Sequence, residues 1–161
     1  MDEKSITDIR QTIELLRMQH GNSHGSQEQQ RIQAYVSDPE LKEIVSKLSI
    51  ASFHTLSALE MGEQTGIEIA GKINVTRGGV TRAAKKLQEF GLINALKHND
   101  DKKKIYYSLT ENGRKIAEAH DQMTEALKKE LVDKLTAKYS SEELKTVAEF
   151  LNDLYELERN F

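Results

Sequence analysis

Three features of this 161-residue chain predict a mainly α fold: a winged helix-turn-helix with a three-helix core, a β-hairpin wing, and dimerisation helices at both termini. The first is a pair of short helical patterns, Ile67 to Ile73 and Thr76 to Leu87, joined by the tight turn Asn74-Val75. The second is the boundary Phe90-Gly91-Leu92-Ile93, followed by two strand patterns whose turn holds Asn99, Asp100, Asp101, Lys102, Lys103 and Lys104. The third is an apolar stripe at helical spacing near each end. Near the N terminus it is Ile6, Ile9, Ile13 and Leu16; near the C terminus it is Leu144, Val147, Leu151, Leu154 and Leu157.

Each element has its own warrant. The N-terminal stripe marks a helix over 5–19, with Ser5 and Asp8 as its cap. His20 to Ser26, rich in Gly, Ser and Asn, reads as a loop, and helical character resumes over 27–36. Asp38-Pro39-Glu40 is a helix start, with an Asp cap and Pro in the first turn, and that helix should reach about Leu48. Ile50, Phe53, Leu56 and Leu59 give a helix over 50–61. Thr65 with Glu68 fits a capping box that opens the first helix of the helix-turn-helix. Thr76 caps the second, which ends at Gly91. Strands are expected over 92–98 and 104–109, where Ile105, Tyr107 and Leu109 alternate with Tyr106 and Ser108. Of Tyr106 and Tyr107, one should be core and the other exposed. Thr110 caps a long helix to about Ala137, and Ser140 with Glu143 opens the last one. The expected organisation is 1–48 as an N-terminal helical dimerisation segment, 49–110 as the winged domain, and 111–161 as C-terminal dimerisation helices. The terminal stripes must be buried somewhere, and a winged helix already has its own core, so they point to a homodimer.

Composition narrows the chemistry. There are no cysteines, which excludes structural disulfides, Cys-ligated zinc and thiol redox sensing. No apolar run reaches membrane-spanning length and the Met-Asp-Glu start has the wrong charge for a secretory signal, so a cytoplasmic protein without a membrane partner is expected. No nucleophile elbow, His-Glu-x-x-His helix or phosphate loop is present, so no enzyme is expected and no cofactor is required. The net charge of −3 argues against a polyanionic partner, but its distribution does not. From Arg77 to Lys104 there are eight Lys/Arg against three acids, a local +5 that leaves −8 for the rest. Polyanion binding follows the local field.

Double-stranded DNA is therefore the expected partner, with the second helix in the major groove and the hairpin along the backbone. Thr76, Arg77, Gly78, Gly79, Thr81 and Arg82 open the recognition helix. Arg77, Thr81 and Arg82 are the candidates for base edges, Lys85 and Lys86 for the backbone, and Lys102, Lys103 and Lys104 for the wing tip, with Asp101 orienting those lysines. Gly78 and Gly79 have two readings: close approach of backbone to DNA, or a softened turn. The alternative at the level of function is a winged-helix module for protein contacts that does not bind DNA.

With these elements in order, the chain resembles the MarR family of bacterial transcriptional regulators. The carrying residues begin with Leu48-Ser49-Ile50-Ala51-Ser52-Phe53-His54-Thr55-Leu56. They continue with Ile69-Ala70, Ile73-Asn74-Val75-Thr76, Val80-Thr81-Arg82, Leu87, Gly91-Leu92-Ile93, Asp101-Lys102-Lys103, and Ser108-Leu109-Thr110 with Gly113. The resemblance implies a homodimer with interlocked N- and C-terminal helices on a pseudo-palindromic operator, often released by a small-molecule effector. Where the family commonly has Arg at the wing tip, this chain has lysines. The resemblance also sets the helix of His54 beside that of His120, near where effectors act, and some zinc-responsive relatives use histidines at matching places. His54 and His120 are thus candidate zinc ligands, with Glu118 and Asp121 as nearby carboxylates, or else ordinary polar residues of a helix junction. His20 and His24 form a weaker pair.

Overall fold

The computed structural model describes residues 3–22, 24–99 and 101–160, without the side chains of residues 17–26 and of 101 and 102. In chain order the elements are α1 (Glu3–Asn22), α2 (His24–Gln33), α3 (Pro39–Val45), α4 (Ile50–Ala58), a 3-10 turn (Leu59–Met61), β1 (Gln64–Thr65), α5 (Gly66–Ile73), α6 (Arg77–Glu89), β2 (Ile93–His98), β3 (Asp101–Leu109), α7 (Glu111–Lys138) and α8 (Ser141–Arg159). Two compact units result, Met1–Met123 and Thr124–Phe161.

The three-helix core of the first unit follows from the apolar spacing read above. Phe53 and Leu56 of α4, Ile69 of α5, and Val80 and Leu87 of α6 are essentially inaccessible to water, as are Leu59, Leu92 and Ile116 around them. Each such side chain contributes about 1.5–3 kcal/mol on burial. Thr65 closes the capping box with Glu68, its backbone N–H donating to Glu68 Oε2 at 2.8 Å. Asn74 ends α5 with φ 52°, and this single left-handed residue makes the turn into α6. Gly91 does the same for α6 at φ 64°. Asp38 Oδ1 accepts from the Glu40 and Leu41 amides at 2.8 and 3.4 Å, the cap expected for α3.

The wing belongs to a three-stranded antiparallel sheet in the order β1-β3-β2. Gln64 and Thr65 face Tyr107 and Tyr106 across β1–β3, and Ile93 faces Leu109 across β2–β3. β1 was not foreseen, because two residues carry no alternation. β3 begins at Asp101, ahead of the expected start at 104, so Lys103 joins Lys104 on the strand and does not lie in the turn; both are exposed. Tyr106 and Tyr107 are both half-buried, contrary to the expected division into core and exposed residues. Tyr106 meets the His98 ring edge-on at 4.6 Å, while Tyr107 packs toward Gly66.

Other boundaries also differ. α1 starts at Glu3, so Ser5 is inside the helix and not its cap; an acidic residue in the first turn favours the earlier start. The expected loop at 20–26 is mostly helical, since α1 runs through Asn22 and α2 begins at His24. Gly21 and Gly25 cost about 1 kcal/mol each in a helix, and the burial of Ile32 anchors α2 against that penalty. The side chains of His20 and His24, and those of Asp101 and Lys102, lie outside the described residues, as does all of Asp100. α3 ends at Val45, before Leu48, because Ser49 already caps α4 by accepting the Ser52 amide. In α1 and α8 the apolar stripes remain uncovered in the single chain. Leu16 is 50% exposed and Val147 54%; Ile6, Ile9 and Leu151 are exposed, and Ile13, Leu144 and Leu154 are half-buried.

Candidate nucleic-acid interface and metal centre

α6 presents its first two turns to solvent because Val80, Ala83, Ala84 and Leu87 take the opposite face into the core. Thr76 Oγ1 accepts the Gly79 amide at 3.1 Å, fixing the start of the helix. No acid stands in the first turn, so the positive end of the helix dipole is uncompensated. Arg77 and Thr81, one turn apart, line a cleft of about 480 Å³ together with Lys103, Lys104, Ile105, Tyr106 and Tyr107 of β3. The structure thus brings helix start and wing together around one groove.

The other candidates are placed differently. Arg82 and Lys85 are exposed on α6 outside that cleft. Lys86 is engaged locally, with Nζ 4.7 Å from the Phe90 ring centre and 3.7 Å from Glu89 Oε2. Thr81 Oγ1 donates to the Arg77 carbonyl at 2.9 Å, so only its acceptor lone pairs are free. The two glycines separate. A Cβ at Gly79 would lie 2.6 Å from Val75 Cγ1, so glycine there serves the turn. A Cβ at Gly78 would meet nothing within 4 Å, which leaves an open backbone approach.

A second cluster forms where α2, α4 and α7 meet. Glu28, His54 and His120 each offer one ligand atom, all within 4.8 Å of one another. Glu28 is carried there by α2, which is pinned by buried Ile32 one turn later and by Gln29 Nε2 donating to the Leu48 carbonyl at 2.6 Å. His54 is held beside buried Phe53 and Thr55, and its ring meets that of His120 at 5.5 Å. His120 stacks on Phe53 at 6.0 Å, and its Nε2 lies 3.3 Å from Glu28 Oε1.

The two histidines are tuned apart. Burial, and then the charge of His120, lowers the His54 pKa despite the opposing pull of Glu28, so His54 is a neutral imidazole. At His120 burial opposes charge, but hydrogen bonds to Glu28 and Asp121, with their negative charges, outweigh it and raise the pKa. The carboxylate within the cluster is Glu28, not the expected Glu118 or Asp121. Asp121 instead takes the other ring nitrogen of His120, at 3.2 Å, and Glu118 lines a separate cleft with Tyr35, Asp38 and Lys115. Glu28 was missed because spacing gives it no link to either histidine. One signal was present: Glu28 and Ile32 stand one turn apart in the helical pattern, and a carboxylate continuing a buried stripe needs a partner. Two neutral-capable imidazoles and a carboxylate form a donor set suited to zinc.

Comparison with known proteins agrees with this architecture. The sequence profile of the MarR family matches residues 48–105. The transcriptional regulator ZitR of Lactococcus lactis subsp. cremoris is 34% identical over 113 residues, 68% of this chain and 75% of ZitR. An uncharacterised HTH-type regulator of Bacillus subtilis, YvnA, is 30% identical over 105 residues, 65% of this chain and 66% of that protein. Among solved structures, that of ZitR, described as a zinc-responsive MarR family member, superposes with a TM-score of 0.69 at 27% identity, covering 93% of this chain and 96% of ZitR. A ZitR variant in complex with DNA gives 0.61 at 31% identity over 68% of this chain and 74% of that one. No helix among the described residues is long and apolar enough to cross a membrane.

Proposed function

This chain belongs to the MarR family, and on that premise we propose that it is a homodimeric transcription regulator. It binds a pseudo-palindromic operator as a repressor, and zinc held by Glu28, His54 and His120 sets its affinity for DNA. The observation that carries the DNA reading is the shared groove of Arg77 and Thr81 with Lys103 and Lys104. The start of α6 supplies base-edge contacts and free N–H groups for phosphate, and the wing lysines follow the backbone. Lysine at the wing supplies affinity with less minor-groove discrimination than arginine, being more strongly hydrated. The uncovered stripes of α1 and α8 support the homodimer: residues 6, 9, 13 and 16 at one end, 144, 147, 151 and 154 at the other.

The zinc reading is supported by the donor set and by its place in the fold. Zinc would supply a single positive centre shared by α2, α4 and α7. His54 also lines a cleft with Lys72 and Ile73 of α5, so its helix borders the helix-turn-helix directly. Without metal, a proton on His120 Nε2 faces Glu28 Oε1 at 3.3 Å; to hold zinc, His120 would give up that proton and offer Nε2 as a ligand.

The test is an electrophoretic shift on DNA upstream of the chain's own gene, with and without micromolar zinc. A retarded complex whose amount changes with zinc is expected. A shift indifferent to zinc overturns the effector assignment and leaves the regulator. No shift at low salt, with the dimer verified, favours the protein-contact reading instead. In the same assay Arg82→Ala should weaken operator binding by about 1–3 kcal/mol, roughly fivefold to 150-fold. Unchanged affinity overturns the assignment of Arg82 to base recognition.

A further inference from the structure

The ring of His120 is also held from the side away from Glu28. Its Nδ1 lies 3.0 Å from Ser57 Oγ and 3.2 Å from Asp121 Oδ1, and Ser57 Oγ itself donates to that same Oδ1 at 2.9 Å. With its proton directed to Asp121, the serine hydroxyl can face the ring only as an acceptor. Asp121 Oδ1, which takes the serine proton, faces the ring as an acceptor too. Both neighbours therefore require a proton on Nδ1.

We propose that Ser57 and Asp121 are positioning residues that fix His120 in its Nδ1–H tautomer and present Nε2 as the donor toward the ion held with Glu28 and His54. The proposal rests on the zinc reading above. Orienting a metal-binding imidazole through its second nitrogen is a general device, worth about 10–100-fold in metal affinity. Here the bracing groups come from two elements. Asp121 follows the ring on α7, while Ser57 lies in the last turn of α4, just before the 3-10 turn that enters β1 and α5. The segment leading into the helix-turn-helix therefore sets the direction of the ligand.

Two measurements test this on the full-length dimer. Nitrogen-15 NMR of the imidazoles without metal, above the pKa of His120, should show mainly Nδ1–H in the wild type, since, among the described residues, two acceptors face Nδ1 and Glu28 alone faces Nε2. Ser57→Ala and Asp121→Asn should move His120 toward the Nε2–H form, with circular dichroism unchanged. Zinc affinity, read by competition with a chromophoric chelator, should fall about tenfold to a hundredfold in both variants, and Ser57→Thr should restore it. Variants that keep the wild-type tautomer and zinc affinity overturn the positioning role alone. A wild type that takes up no zinc, despite a fixed tautomer, overturns the zinc reading and the proposal with it.

Discussion

Gly113→Ala should destabilise the protein by about 3 kcal/mol, at the upper end of what overpacking costs. A Cβ at this position would lie 1.9 Å from the Leu92 carbonyl oxygen and 2.9 Å from its carbon. Both are backbone atoms that cannot turn aside as a side chain would. That carbonyl already accepts the Thr110 amide at 3.0 Å, so moving it breaks a second contact. Gly71→Ala is the matching control, because a methyl at that position on α5 would meet nothing within 4 Å. There the usual helical preference for Ala should stabilise by about 0.4–1 kcal/mol. Urea unfolding measures both, and a Gly113→Ala variant as stable as the wild type would falsify the packing of α7 on Leu92.

His54→Ala, His120→Ala and Glu28→Gln should each lower zinc affinity by at least about a hundredfold, since even outer groups around a metal cost about 10–100-fold. The zinc effect on DNA binding should disappear with it. Glu28→Gln is the most informative of the three, because it keeps the shape and removes only the charge. Titration of the chain with zinc in the presence of a competing chelator reads the result; retention of wild-type affinity in Glu28→Gln removes α2 from the centre. The pH dependence has a definite sign. His120, with its raised pKa, holds a proton that zinc must displace, so affinity climbs as pH rises through that pKa and drops below it. His54, with its lowered pKa, is already neutral there and adds no comparable barrier.

Much of this could be read from the chain, for physical reasons that differ by element. Asp38-Pro39, Thr65 with Glu68, Thr76, Thr110 and Ser140 with Glu143 are local devices whose donors and acceptors are neighbours in sequence, and each caps a helix in the structure. The α1–α2 region resisted because glycines at 21 and 25 signal a loop locally, while Ile32 is buried by residues distant in the chain. β1 is too short to carry a pattern and exists only through pairing with β3. In the cluster of Glu28, His54 and His120, the neighbourhood of the two histidines follows from the family resemblance, whereas Glu28 is joined to them by tertiary packing of α2 alone. The bracing of His120 by Ser57 spans 63 positions and leaves no trace in local spacing.

The residues around Thr110 carry one more implication. Its amide binds the Leu92 carbonyl, its hydroxyl donates to the Gly91 carbonyl at 2.8 Å, and the Gly113 amide returns to that hydroxyl at 3.1 Å. The end of α6, both feet of the wing and the start of α7 are thereby fastened in one knot. α6 and the wing keep a fixed gauge between them, like the jaws of a set caliper. On the function proposed above, an effector acting through α7 would shift helix and wing together. What it would adjust is the spacing between the two calipers of a dimer, and with it the distance between operator half-sites that fits.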